Sequence, residues 1–146
     1  MRSRFIFLRR LVVRQAGRDV HQSGKESHMS MEILKKLFSA VENNDVDSYL
    51  TCFNEGAEYK AGNYPAVYGH AAIKEFAGQV IPIFDKVEHK VKNTWQNGNV
   101  IVSEMELTYH RKDGKVATVP CVDIIELENG KVKSLRAYLD AAPAFA

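Results

Sequence analysis

Several structural devices are missing from this 146-residue chain. It has two cysteines, Cys52 and Cys121, and no CxxC pair. That rules out a disulfide framework and suggests buried thiols in a reducing compartment. It has no apolar run long enough for a membrane span, no internal repeat and no low-complexity segment. There is no HxH or HExxH spacing to gather metal ligands, so neither a metal nor a cofactor is expected. From residue 29 onward, 13 Lys/Arg stand against 16 Asp/Glu, or −3, with no basic stripe, which argues against nucleic acid as a partner. What is present is ordinary for a soluble globular protein, 45% hydrophobic and 26% charged residues. The length suits one domain that encloses a core without metal or disulfide.

Only the first 28 residues are basic, with seven Lys/Arg against two acids, or +5. Their apolar runs, FIFL and LVV, are split by Arg9 and Arg10 and are too short for a secretory core. The segment reads as a non-native leader, with Met29 or Met31 opening the folded domain. The alternatives are a mitochondrial presequence, since six arginines precede Asp19, and a structural arm. The domain is therefore expected over 29–146. Its expected location is cytoplasmic, or mitochondrial if the leader is a native presequence.

Ile33, Leu34, Leu37, Phe38 and Val41 recur at helical spacing from Met31. Asn43-Asn44 ends that helix, and Asp45 or Asp47 can cap a short second one through Phe53. A short strand is predicted at 58–61, then a loop, then a third helix after Gly69 that Pro82 disturbs. Strands are predicted at 87–96, 100–110, 116–127 and 132–140, joined by turns at Asn97-Gly98, Asp113-Gly114 and Asn129-Gly130. Three helices followed by an antiparallel meander make an α+β domain, with helices on one sheet face.

One apolar strand face holds a surprise. In VATVPCVDIIEL, Ala117, Val119, Cys121, Ile125 and Leu127 alternate with outward residues, and Asp123 sits among them. If the first two turns are two-residue turns, His89 faces Glu106, Glu104 faces Asp123, and Glu106 faces Cys121. The inner surface would then collect Val87, His89, Val91, Trp95, Glu104, Glu106 and Asp123. A one-residue slip would send a strand's residues to the other face. A bulge at the third turn would decide whether Leu135, Ala137 and Leu139, or Arg136, Tyr138 and Asp140, point inward. Tyr109, Arg136 and Tyr138 fit the convex face.

The loop PAVYGHAAIKEF, the strand VEHKVKNTW, the hairpin LTYHRKDGKVATVPCVDIIEL and the ending ENGKVKSLRAYLDAAPAF resemble the nuclear transport factor 2-like superfamily over residues 31–146. The branch they resemble is that of the SnoaL-like domains, relatives of polyketide cyclases. The resemblance implies a cone of curved antiparallel sheet closed by three N-terminal helices, a hydrophobic pocket, and homodimerisation through the sheet. Against the limonene-epoxide-hydrolase branch, the catalytic acid of the last strand is missing and Glu104-Met105-Glu106 replaces Arg-x-Asp. Tyr59 matches that branch's cavity tyrosine, while Ala61 replaces its asparagine. Against the ketosteroid-isomerase branch, Lys60 stands where the base belongs. The epoxide-hydrolase pocket positions fall on Glu104, Glu106, Thr108, Val119, Cys121, Ala137 and Leu139, which favours the bulged third turn. Scytalone dehydratase has a pocket histidine on the strand of His89.

A carboxylate among apolar residues has its charged form disfavoured, which raises its pKa toward neutrality. Such a group can move a proton on a lipophilic substrate. The candidates are Asp123 or Glu106 as base with Glu104 nearby, His89 as acid or shuttle, and Tyr59 as oxyanion donor. Trp95, Thr108, Val119, Cys121, Ala137 and Leu139 are the candidate substrate contacts. Two classes stay open: a cofactor-independent isomerase, cyclase or lyase, and a non-catalytic binding or dimerisation module. A pocket filled by side chains, with every acid paired, would favour the second.

Overall fold

The computed structural model describes the backbone of residues 20–146 and the side chains from residue 28 onward. Of the segment 1–28 read as a leader, residues 1–19 lie outside the described residues, and the backbone of 20–28 belongs to the first helix. Helix α1 spans Val20–Glu42, starting before the expected Met31; Leu34 and Leu37 of the predicted spacing are buried, and Ala40 is buried with them. It ends where Asn44 takes a left-handed φ of 54°. Helix α2, Val46–Thr51, is capped by Asp45, whose Oδ1 accepts from the Ser48 N–H at 2.9 Å. It stops short of Phe53, which opens strand β1 at Phe53–Ala61, longer than the predicted strand. The short strand β2, Val67–Tyr68, lies in the stretch predicted as loop. Helix α3, Gly69–Val80, follows, and Pro82 shapes a single 3-10 turn at Ile81–Ile83.

The meander then runs through β3 (Phe84–Asn97), β4 (Val100–Arg111), β5 (Val116–Glu128) and β6 (Lys131–Leu139), with a closing helix α4 at Ala142–Phe145. Together they form one curved, open six-stranded sheet in the order β2-β1-β6-β5-β4-β3. All pairs are antiparallel except β1 with β6, because the helix α3 crossover separates β1 from the meander. Leu37, Leu50 and Ile73 from the helices pack on Phe53, Ile101, Ile125 and Val132 of the inner face. Each fully buried large side chain contributes about 1.5–3 kcal/mol. No helix among the described residues is long and apolar enough to cross a membrane.

Register departs from expectation at both early turns. Asn97 pairs with Val100, so the two-residue turn is Gly98-Asn99, one position later than predicted. Arg111 N–H donates to Lys115 O at 2.8 Å, which makes the second connection the three residues Lys112-Asp113-Gly114. Gly114 supplies the left-handed φ of 85° that such a connection requires. The slip turns Glu104 and Glu106 to the outer face and brings Ser103, Met105 and Leu107 inward. A bulge at Lys92 then reverses the facing of β3 beyond it. Trp95 therefore sits on the outer face, 54% exposed, and not beside His89. At the third turn Asn129 and Gly130 both have positive φ, and a further bulge at Lys133 sends Leu135, Ala137 and Leu139 inward as expected.

Candidate active site

Helices and inner sheet face enclose a cavity of about 130 Å³. That is close to the roughly 150 Å³ of an apolar cavity able to take a benzene ring. Its walls are almost wholly apolar and aromatic: Phe38 from α1, Tyr49 from α2, Phe76 from α3, and Tyr59, Tyr109, Ala137 and Leu139 from the sheet. Phe145 of α4 packs on Phe84 and closes one side. The two polar side chains that set the chemistry are Asp123 and His89.

Asp123 is 7% exposed. Its hydrogen-bond donor is a weak one, the Cys121 thiol, at 3.4 Å. Burial pushes its pKa up to about 6, and the thiol offsets only part of that rise. The hydroxyls of Tyr49, Tyr59 and Tyr109 all lie within electrostatic reach of its charge. Burial first, and then that charge, pushes the Tyr59 hydroxyl far above its usual range. The Cys121 thiol is raised in the same way. Directly across the ladder from Asp123 is Ser103. Its fully buried hydroxyl is, among the described residues, the buried side-chain polar atom without a partner. Near pH 6 the site thus holds one half-ionised acid among neutral phenols.

His89 is tied to another group. Glu42 Oε1, at the end of α1, accepts from the His89 backbone N–H at 2.9 Å and lies 3.0 Å from Nδ1. The imidazole stacks on Phe38 with ring centroids 4.5 Å apart. Burial lowers its pKa, and Glu42 offsets part of the shift. His89 pairs with Leu107, which pairs with Val119, and Asp123 lies four residues further along that strand. Their hydrogen-bond partners are different, Glu42 for His89 and Cys121 for Asp123. The two residues share a cavity but not a direct proton relay.

The other predicted site residues divide in two. Glu106 lies outside, bonded by Lys92 at 2.7 Å, and that contact lowers its pKa. Glu104 is outside as well and accepts from Asn93 Nδ2 at 2.7 Å. The Thr108 hydroxyl pairs with that of Thr118 at 2.9 Å on the same outer face. These three and Trp95 are therefore not pocket residues, because the register slip and the bulge turned them away. Tyr59, Ala137 and Leu139 line the cavity. Val119 and Cys121 face inward but pack with Met105 and Leu107 in a neighbouring cluster. Tyr109, placed on the convex face by the sequence reading, is a cavity wall. A three-residue connection at Lys112–Gly114 would have revealed it. Tyr49 and Phe76 left no signal beyond helical apolar spacing. Among the described residues no group of three or more His, Cys, Asp or Glu is placed to hold a metal.

No curated protein sequence matches the chain. Solved structures do. A protein of ketosteroid isomerase-like fold from Catenulispora acidiphila DSM 44928, in complex with trimethylamine, superposes with a TM-score of 0.71 at 15% identity, over 77% of this chain and 88% of that one. A candidate SnoaL-like polyketide cyclase from Jannaschia sp. CCS1 gives 0.69 at 20% identity, over 82% and 94%. An NTF2-like protein of unknown function from Cytophaga hutchinsonii ATCC 33406 gives 0.63 at 26% identity, over 77% and 97%. The profile of the SnoaL-like domain family matches residues 34–135, the span that carries α2, α3, Asp123 and most of the cavity wall. The chain belongs to the SnoaL-like domain family of the nuclear transport factor 2-like superfamily.

Proposed function

We propose that this pocket protein is a cofactor-independent catalyst of proton transfer on a small lipophilic, carbonyl-bearing molecule, of the isomerase, cyclase or lyase type. The observation that carries the reading is Asp123, a buried carboxylate on an apolar cavity wall with its pKa raised to about 6. A base poised near neutrality combines a useful ionised fraction with a useful driving force for accepting a proton. In this reading Asp123 takes a proton from the carbon next to the carbonyl. Tyr59 donates a hydrogen bond to the oxygen where negative charge collects, and the same Asp123 returns the proton elsewhere. Glu104 and Glu106 take no part, since both are paired on the outer face. His89, held by Glu42, shapes the far wall.

The test is exchange of the acidic α-protons of cyclohexanone and cyclohexenone for deuterium, followed by NMR in heavy water. Wild type should accelerate exchange, and Asp123→Asn should lose about 10²–10⁴-fold of the acceleration. Equal acceleration by both proteins would end the proton-transfer reading. The non-catalytic alternative, a ligand-binding module, draws support from the separation of His89 and Asp123, which leaves no preassembled acid–base pair. We also propose that two copies associate through the outer sheet face, where Trp95, Ile124 and Tyr138 are exposed together.

A further inference from the structure

A buried carboxylate can meet its charge in two ways, with a proton or with a cation. The proton serves the reaction proposed above. The cation has no donor in the protein, since no Lys or Arg lines the cavity among the described residues. An anionic ligand would have to share that wall with a carboxylate and no counter-charge, a strongly unfavourable arrangement. The surroundings are those that favour a positive ligand. The rings of Tyr49, Tyr59, Phe76 and Tyr109 line the same space, and aromatic faces attract a desolvated cation. Tyr59 lies at the centre of that wall. Its ring is tilted against Phe76 with centroids 5.4 Å apart and meets Tyr49 edge-on at 6.3 Å.

We propose that the cavity is a receptor for a small lipophilic ammonium ion, with its nitrogen against Asp123 and its hydrocarbon body among Tyr59, Phe76 and Tyr109. The inference rests on the reading of the cavity as a ligand site and adds a charge class to it. Size limits the body to about one six-membered ring, given about 130 Å³ of space. The groups that face Asp123 do not titrate in the working range. The Tyr49, Tyr59 and Tyr109 hydroxyls and the Cys121 thiol are all raised above their usual values. His89, on the other side of the cavity, is the second lining group that can take up charge, and its proton would repel the ligand below its lowered pKa.

Three one-ring probes test this by isothermal titration at about pH 5 and about pH 7: cyclohexylammonium, cyclohexanol and cyclohexanecarboxylate. The amine should bind at least about tenfold tighter than the alcohol at the higher pH. Its affinity should rise about tenfold between the two values, as Asp123 ionises. The carboxylate should bind weakest. Asp123→Asn should bring the amine down to the level of the alcohol at the higher pH and remove the rise in affinity that ionisation of Asp123 supplies, leaving only the dependence that His89 contributes. His89→Gln should leave the amine's preference at the higher pH intact. If the alcohol binds as well as the amine in wild type, the ammonium inference falls and the ligand-site reading stands. If amine affinity is unchanged in Asp123→Asn, the inference falls as well. If none of the three probes binds, both readings fall together.

Discussion

Asp123 is the residue at which stability and function pull apart. In an unfolded chain its carboxyl ionises near 3.8, whereas in the fold it holds its proton to about 6. Between those values the native state binds more protons than the unfolded state, so stability falls as pH rises. Above about 6 the fold carries an ionised, poorly paired carboxylate, at a cost on the order of 3 kcal/mol relative to acid conditions. His89 works in the opposite direction. Its folded pKa is lowered, so its contribution is lost as pH falls below that of an unfolded histidine. Wild type and Asp123→Asn must therefore be compared point by point from about pH 4 to 8. Thermal melts should show the Asn protein losing the decline between about 4 and 6 and melting higher than wild type above 6. Parallel curves would mean that Asp123 has a partner strong enough to hold its charge. The residue itself was legible in the sequence, because a lone carboxylate on an alternating apolar face stands out without any structure. The glutamates were not, because their facing depended on a turn length that composition leaves open.

At the scale of elements, alternation survived and phase did not. Helix spacing, the caps at Asn44 and Asp45, and each of the four long strands follow from local pattern. Facing depends instead on single residues at Asn99, Lys112, Lys92 and Lys133, where one extra position inverts a strand. The parallel β1–β6 pairing was invisible for a different reason: it joins segments more than 70 residues apart. The junction of β2 and α3 offers a direct check on such local geometry. Gly69 has φ of 82°, and a Cβ there would lie 3.2 Å from Glu55 O. Backbone oxygen cannot swing aside as a side chain can. Gly69→Ala should therefore lower unfolding stability by about 1–3 kcal/mol in urea titration. Gly56, with nothing within 4 Å and ordinary φ, is the control and should tolerate alanine with little change. Equal tolerance at both sites would show that the helix start shifts to absorb the substitution.

For the molecule as a whole, the outer face of the sheet is where large apolar side chains lie exposed together. Trp95 pairs with Val102, which pairs with Ile124, which pairs with Arg136, and the next outward row runs Glu104, Val122, Tyr138. The slip that emptied the pocket of glutamates turned Val102 outward, and the bulges at Lys92 and Lys133 set Trp95 and Tyr138 beside it and beside Val122 and Ile124. Trp95 and Tyr138 are each more than half exposed, and Ile124 is 36% exposed. An apolar patch rimmed by charges, here Glu104, Glu106 and the Arg136–Glu58 pair at 2.9 Å, is the form that association surfaces take. A two-fold axis through it would set like residues against one another and leave no open end for further growth. Sedimentation of wild type at about 100 µM should then give a dimer. Ile124→Lys, at the centre of the patch, should give a monomer, because it buries a charge against its own copy across the axis. Its melting temperature measured on dilute protein should change little, since Ile124 does not belong to the helix-side core. The cavity opens on the opposite face of the sheet, so cyclohexanol binding should survive the substitution. A wild type that sediments as a monomer at that concentration would leave the outer face without a partner of its own kind.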